Sequence, residues 1–256
     1  FRQMLPGRDI AVNPANPVEM QTFMAAKQMQ NFIYLIGDAR TRECVVIDPC
    51  WDVRGIQSIM DGDKMKLIGA VATHYHFDHT GGMPPPPFNA MGITVPGIKE
   101  IEMQGLRIHC HEEDAGEILQ RNKVAAANLT TYVDGDVFNV GAITLKFIHT
   151  PGHSPGSMVI VVEGNQQGAP GGGEGLVVSG DTIFPGSCGR LDLPDASVDR
   201  MFDSLAKCGR VLPDKMVVYP GHNYNGATST VAREKETGLL RPFTKAQWIA
   251  MHPPKK

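Results

Sequence analysis

The stretch THYHFDHTGG, Thr73–Gly82, places three histidines and an aspartate within six consecutive residues. Burying so many titratable side chains together is costly unless a bound ion or a hydrogen-bond network compensates them. The apolar run Leu67–Thr73 leads into the cluster and reads as a strand, so the four side chains emerge at a strand end. His74 and His76 point to one side of an extended backbone, whereas the adjacent Asp78 and His79 would be aimed oppositely. The chain therefore has to turn there, and Thr80-Gly81-Gly82 permits it.

The same arrangement recurs three times. Ile143–His149 runs into Thr150-Pro-Gly-His153, Leu176–Ser179 into Gly180-Asp181, and Met216–Tyr219 into Pro220-Gly-His222. Four strands thus each deliver imidazole or carboxylate to the following turn, and loops on a rigid sheet are where sites are built. The set of His74, His76, Asp78, His79, His153, Asp181 and His222 is too large for one tetrahedral ion and suits two. Nitrogen and carboxylate donors without thiolates suit Zn(II), Fe(II) or Mn(II) and do not choose among them. A carboxylate between two ions would hold a water acidified to hydroxide near neutral pH.

Further apolar, β-branched runs at Asn31–Ile36, Cys44–Ile47 and Met158–Val162 also read as strands. Helical stripes are carried by Val53, Ile56, Ile59 and Met60, and by Val198, Met201, Phe202 and Leu205, with Ser197 as N-cap and Gly209 just past the end. Glu112 to Lys123 reads as a third, more polar helix. Early strand pairs without helices between them, followed by alternation, predict mixed sheets with helices outside, an α+β protein. The four prolines within Met83–Phe88 exclude helix and central strand, and the loop opens directly from the histidine cluster, where it can wall the site. Gly164–Gly175 reads as a hairpin tip. The expected organisation is one domain over 1–256, with a proline-rich insertion at 83–99 and a short C-terminal extension at 227–256.

A net charge of −3 provides no basic field for nucleic acid, and no apolar run is long enough to span a bilayer. The chain starts at Phe1 without a signal-peptide pattern, so a trimmed targeting segment remains compatible with it. The five scattered cysteines form no disulfide framework and fit reduced thiols in a cytoplasmic or organellar compartment. Other histidines read as structural: His109 and His111 flank Cys110 at a strand end, and His252 sits in a polar tail. His149 reads as structural too, or as a residue orienting a ligand.

The ordered set THYHFDHTGG, HTPGHSPGS, SGDTIF and YPGHNY resembles the metallo-β-lactamase superfamily over about Asn31 to Gly226. The resemblance implies a four-layer αββα sandwich with the metals at one edge of two mixed sheets. By motif, one metal falls to His74, His76 and His153, the other to Asp78, His79 and His222, with Asp181 bridging. Aspartate at 181 is unlike the β-lactamase branch, which normally has cysteine in that region, and His76 is unlike the diiron flavoproteins. RNA-processing members carry exosites and nuclease motifs that this sequence lacks.

Within the superfamily the chain is most similar to the glyoxalase II group and its relative persulfide dioxygenase. Both place Cys-Gly-Lys/Arg after the bridging aspartate and a tyrosine two residues beyond the last histidine, here Cys188-Gly189-Arg190 and Tyr224. The glyoxalase II resemblance implies that Arg190 binds a glutathione carboxylate and Tyr224 the glutathione backbone. It also implies a dinuclear hydrolase, with two divalent ions (zinc first, iron or manganese otherwise) and a metal-bridging hydroxide that attacks a thioester or ester. Asp78 and Asp181 would serve the nucleophile, the substrate would be a small molecule such as a glutathione conjugate, and Cys188 would be a packed thiol. Asp192, where glyoxalase II has an aromatic residue, and the short tail look more like persulfide dioxygenase, which implies a single Fe(II) on His74, His153 and Asp181. A non-catalytic metal-binding protein is a further alternative.

Overall fold

The computed structural model describes residues 1–86, 88–163 and 175–253. The stretch read as a hairpin tip, apart from Gly175, lies outside the described residues, as does Pro87 of the proline run. The chain forms two compact units, Phe1–Tyr132 with Phe138–Ile143, and Val133–Val137 with Thr144–Lys256.

The first unit holds β1 (Arg2–Met4), α1 (Pro17–Met29), β2 (Ile33–Gly37), β3 (Glu43–Ile47), α2 (Val53–Gly62), β4 (Lys66–Val71), α3 (Phe77–Thr80), α4 (Ile98–Glu102), β5 (Arg107–His111), α5 (Ala115–Asn122) and β6 (Leu129–Tyr132). Its sheet runs β1-β2-β3-β4-β5-β6. The first three strands pair antiparallel and the rest parallel. Parallel neighbours need a crossover, and α2, α3 with α4, and α5 provide them in turn. Alternation decides the packing: Ile33, Leu35, Cys44, Val46, Ala70 and Ile108 join one buried cluster with the helix residues Phe23, Ile56, Met60, Ile101 and Ile118. Asp52 caps α2 by accepting from the Gly55 amide at 2.9 Å. The Glu112–Lys123 segment opens with a 3-10 turn at Glu112–Asp114 before α5, and the proline loop gives way to another at Phe88–Met91.

The chain passes into the second unit around β7 (Val137–Val140). There follow β8 (Ile143–His149), β9 (Met158–Glu163), β10 (Gly175–Gly180), α6 (Val198–Val211), β11 (Val217–Pro220), β12 (Ser229–Thr230), α7 (Val231–Glu236) and α8 (Lys245–Met251). Strands β8, β9 and β10 pair antiparallel, β10 and β11 parallel across the α6 crossover, and β11 and β12 antiparallel. Val159, Val161, Val177 and Val218 pack with Met201, Leu205 and Cys208 of α6 and with Trp248 of α8.

Ser197 caps α6 by accepting from Arg200 N at 3.2 Å. The helix does not stop before Gly209, as the sequence suggested, but runs on to Val211. Glycine is placed there by contact, not by termination: a Cβ at 209 would sit 3.1 Å from the Leu240 carbonyl oxygen. Two mixed sheets with helices give the expected α+β class. Among the described residues no helix is long and apolar enough to cross a membrane.

Candidate metal centre

In the first unit the donors follow β4. His76 is extended (φ −62, ψ 147) and enters the single-turn α3, whose bend brings Asp78 and His79 beside the preceding histidines. The amides of His79 and Thr80 both bond to the His76 carbonyl at 2.9 Å. Gly81 leaves the turn at φ +78, and a Cβ there would lie 2.7 Å from the Val95 carbonyl, so the close approach and the backbone angle both call for glycine. The His74 and His79 rings lie 4.2 Å apart and His74 and His76 4.7 Å apart, centroid to centroid. The pairs His74–His76, His74–His79 and Asp78–His79 each offer ligand atoms within 4.8 Å of one another. His74, Asp78 and His79 are buried and His76 is half-buried.

Asp48 organises this cluster. One of its oxygens, Oδ2, accepts from Thr73 Oγ1 at 2.7 Å and from His79 Nδ1 at 2.8 Å. The Thr73 hydroxyl gives its proton to Asp48, so its oxygen accepts from His74 Nδ1 at 3.1 Å. Both rings therefore carry their proton on Nδ1 and keep a lone pair on Nε2, which in His79 stands 3.3 Å from Asn31 Nδ2, the protonation in which a histidine can ligate a metal. Asp48 sits at φ +52, a conformation disfavoured for most side chains and tolerated best by Asp and Asn. Asn31 Nδ2 donates to Asp78 Oδ2 at 3.1 Å while its Oδ1 accepts from Trp51 Nε1 at 3.0 Å. The Cys50 thiol donates to the Asp78 carbonyl at 2.6 Å, and burial pushes its pKa well above the ordinary value.

Asp48, Thr73 and Asn31 were not singled out from the sequence. Asp48 had a signal: it ends the apolar run Cys44–Ile47 just as Asp181 ends Leu176–Ser179.

In the second unit His153, Asp181 and His222 follow β8, β10 and β11, and all three are buried. His153 Nδ1 donates to the Arg190 carbonyl at 2.8 Å, which leaves a lone pair on Nε2, the nitrogen facing Asp181. The Asp181 Oδ2 atom is 3.3 Å from His153 Nε2 and 3.4 Å from His222 Nε2. These separations exceed the mode of an N–H···O bond. They match two donors that share a tetrahedral ion at roughly 2.0–2.1 Å each, which stand about 3.3 Å apart. The donors present therefore fit a divalent metal. Gly221 makes room for the carboxylate, since a Cβ there would fall 2.3 Å from Asp181 Oδ1.

The remaining candidates lie nearby in the same unit. Tyr224 stacks on the His222 ring at 4.5 Å and 15°, and Phe184 meets His222 edge-on at 5.8 Å. Arg190 is paired bidentately to Asp192, with Nε–Oδ1 at 2.8 Å and Nη2–Oδ2 at 2.9 Å. Burial, then the Asp181 charge, pushes the Cys188 thiol up to about 12, so it is no nucleophile near neutral pH. The five thiols are all free. His149 Nε2 donates to the Pro155 carbonyl at 2.9 Å, and His252 packs on Trp248 at 4.1 Å. His109 bonds Tyr132 through Nδ1 at 3.0 Å, and His111 accepts from the Glu113 amide at 3.2 Å.

The human mitochondrial persulfide dioxygenase ETHE1 is 27% identical over 210 residues, covering 80% of this chain and 69% of the relative. The hydroxyacylglutathione hydrolase of Dictyostelium discoideum is 27% identical over 195 residues, covering 76% and 62%. A crystal structure of a metallo-beta-lactamase from Staphylococcus aureus superposes with a TM-score of 0.71 at 27% identity, over 88% of this chain. This chain spans only 64% of that structure's length. Residues 26–222, most of the sequence and every one of the seven candidate ligands, match the family described as the Metallo-beta-lactamase superfamily, and the chain belongs to it.

Proposed function

We propose that this metal-dependent enzyme brings the two ligand sets to one site for two divalent ions and hydrolyses a thioester or ester there. His74, His76 and His153 would hold one ion, Asp78, His79 and His222 the other, with Asp181 shared. The observation that carries the reading is that a single oxygen of Asp181 stands at matched distances from His153 and His222, histidines assigned to different ions. Bound ions would supply Lewis acidity and lower the pKa of a water to near neutrality. The protein's own part is to hold the donors: Asp48, Thr73 and the Arg190 carbonyl fix three imidazoles with Nε2 presented. Tyr224, half exposed on the His222 ring, would meet the substrate. A glutathione thioester is the favoured substrate, in line with the Dictyostelium relative, and free thiols fit a reducing cytoplasmic or organellar setting.

A second reading, a persulfide dioxygenase using one Fe(II), is favoured by a specific contact. Asp192, where glyoxalase II has an aromatic residue, pairs bidentately with Arg190, as the persulfide dioxygenase resemblance of this segment implies an aspartate there. The similarity to the human persulfide dioxygenase points the same way.

Metal analysis of protein produced without added metal, combined with turnover, separates the two. Two equivalents of metal and hydrolysis of S-lactoylglutathione are expected. One equivalent of iron, with oxygen consumed on glutathione persulfide and no thioester turnover, would overturn the hydrolase reading in favour of the second.

A further inference from the structure

We propose a second binding site, built without any of the candidate metal ligands, for a small amphiphilic carboxylate: an apolar body carrying one carboxylate head. It lies entirely in the second unit, where the later turns of α6, the segment Leu239–Phe243 and α8 line a half-open cavity of about 470 Å³. That volume is in the range of about 300–1,000 Å³ typical of small-ligand pockets. Its walls are Phe202, Leu205, Leu240, Phe243 and Trp248, an apolar lining with two aromatic side chains left half-buried. Trp248 is held rigidly, with Nε1 donating to the Val198 carbonyl at 2.8 Å. Gly209, without a Cβ, lets the 239–241 segment lie close to α6.

Charge identifies the occupant. The cavity is lined by Arg210, Lys235 and Arg241 and by no acidic residue. Lys235 is already engaged, at 2.5 Å by Asp214 and at 2.9 Å by the Leu212 carbonyl. Arg210 and Arg241 are exposed, and among the described residues neither has a hydrogen bond or an ion pair. Arg241 instead lies over the Phe243 ring, 4.6 Å from its centroid, which holds the guanidinium at the aromatic wall. Guanidinium groups pair with carboxylates through two parallel N–H···O bonds. An apolar cavity with two uncommitted guanidiniums and no competing acid is thus complementary to a carboxylate with an apolar tail. The inference does not depend on the proposed hydrolysis, since none of these residues is a candidate metal ligand.

Calorimetric titration of the metal-loaded protein with decanoate, decanol and acetate tests it. Decanoate should bind saturably at one site, at least tenfold more tightly than decanol, with acetate not binding measurably. The double variant Arg210→Ala, Arg241→Ala should weaken decanoate at least tenfold while leaving the thermal midpoint and metal content unchanged. Ala206→Leu, which fills the cavity from α6, should weaken it similarly. Non-saturable binding, decanol binding as tightly as decanoate, or undiminished affinity in the double arginine variant would each overturn the proposal. The two arginines are exposed, so that last outcome is readable even if Ala206→Leu does not fold.

Discussion

Asp48 and His79 are joined by a 2.8 Å contact between Oδ2 and Nδ1, and the same oxygen receives the Thr73 hydroxyl that in turn accepts from His74. One buried carboxylate thereby sets the tautomer and the aim of two histidines without being a ligand itself. Asp48→Ala should weaken metal affinity by about 10- to 100-fold, as loss of such an orienting partner does. Chelator-competition titration measures it, with circular dichroism to confirm folding. Unchanged affinity in a folded variant would remove Asp48 from the site.

Asp181 has a different dependence, because one oxygen faces two histidines. Asp181→Ala should lose metal and turnover together, whereas Asp78→Ala should remove one equivalent and leave the other. Elemental analysis of the purified variants gives the stoichiometry. An Asp181→Ala protein that stays active without metal contradicts the whole assignment.

The Arg190–Asp192 pair separates binding from stability. Arg190 is about 70% exposed, and pairs of this kind contribute between about 0 and 1 kcal/mol, so Asp192→Ala should barely move the unfolding midpoint. It should, however, free the guanidinium and lower KM for a glutathione thioester while leaving KM for a neutral ester alone. Arg190→Ala should raise KM for the first substrate only. Equal changes on both substrates would exclude a carboxylate-binding role for Arg190.

Much of this was legible in the sequence because strand and turn signals are local. All seven apolar runs read as strands are strands, and each of the seven metal-ligand candidates follows one of them. Helix α1 was missed for a physical reason: its buried positions are only Thr22, Phe23 and Ala26, too few to draw an apolar stripe. Strands β6, β7 and β12 are short and mostly half-buried or exposed, so their composition says little. Gly209 misled because glycine after an apolar stripe commonly ends a helix, yet here it answers to a backbone 31 positions away, at Leu240. Asp48, Thr73 and Asn31 were invisible as partners because their contacts join positions far apart in the chain, and spacing encodes only neighbours.

His109 gives a pH dependence distinct from the metal ligands. Burial, reinforced by the Arg107 charge, lowers its pKa from 6.5 to about 4, and its ring stacks on Phe138 at 4.4 Å. The folded protein thus holds the ring neutral where the unfolded chain would protonate it. Between pH 6.5 and 4 the unfolded state binds more protons, so stability rises with pH across that window and falls as pH is lowered. The stabilisation is fully present above 6.5 and is lost progressively down to about 4, by at most roughly 3 kcal/mol at 1.36 kcal/mol per unit. A single unfolding curve sums every titrating group of the protein, so the measurement has to be a difference between two proteins. His109→Asn cannot titrate, and its packing loss is independent of pH. Urea unfolding midpoints for both proteins, taken stepwise from pH 7.5 to 4, should converge as pH falls, because only the wild type loses the His109 contribution. Parallel curves would mean that His109 takes up its proton in the fold as readily as in the unfolded chain.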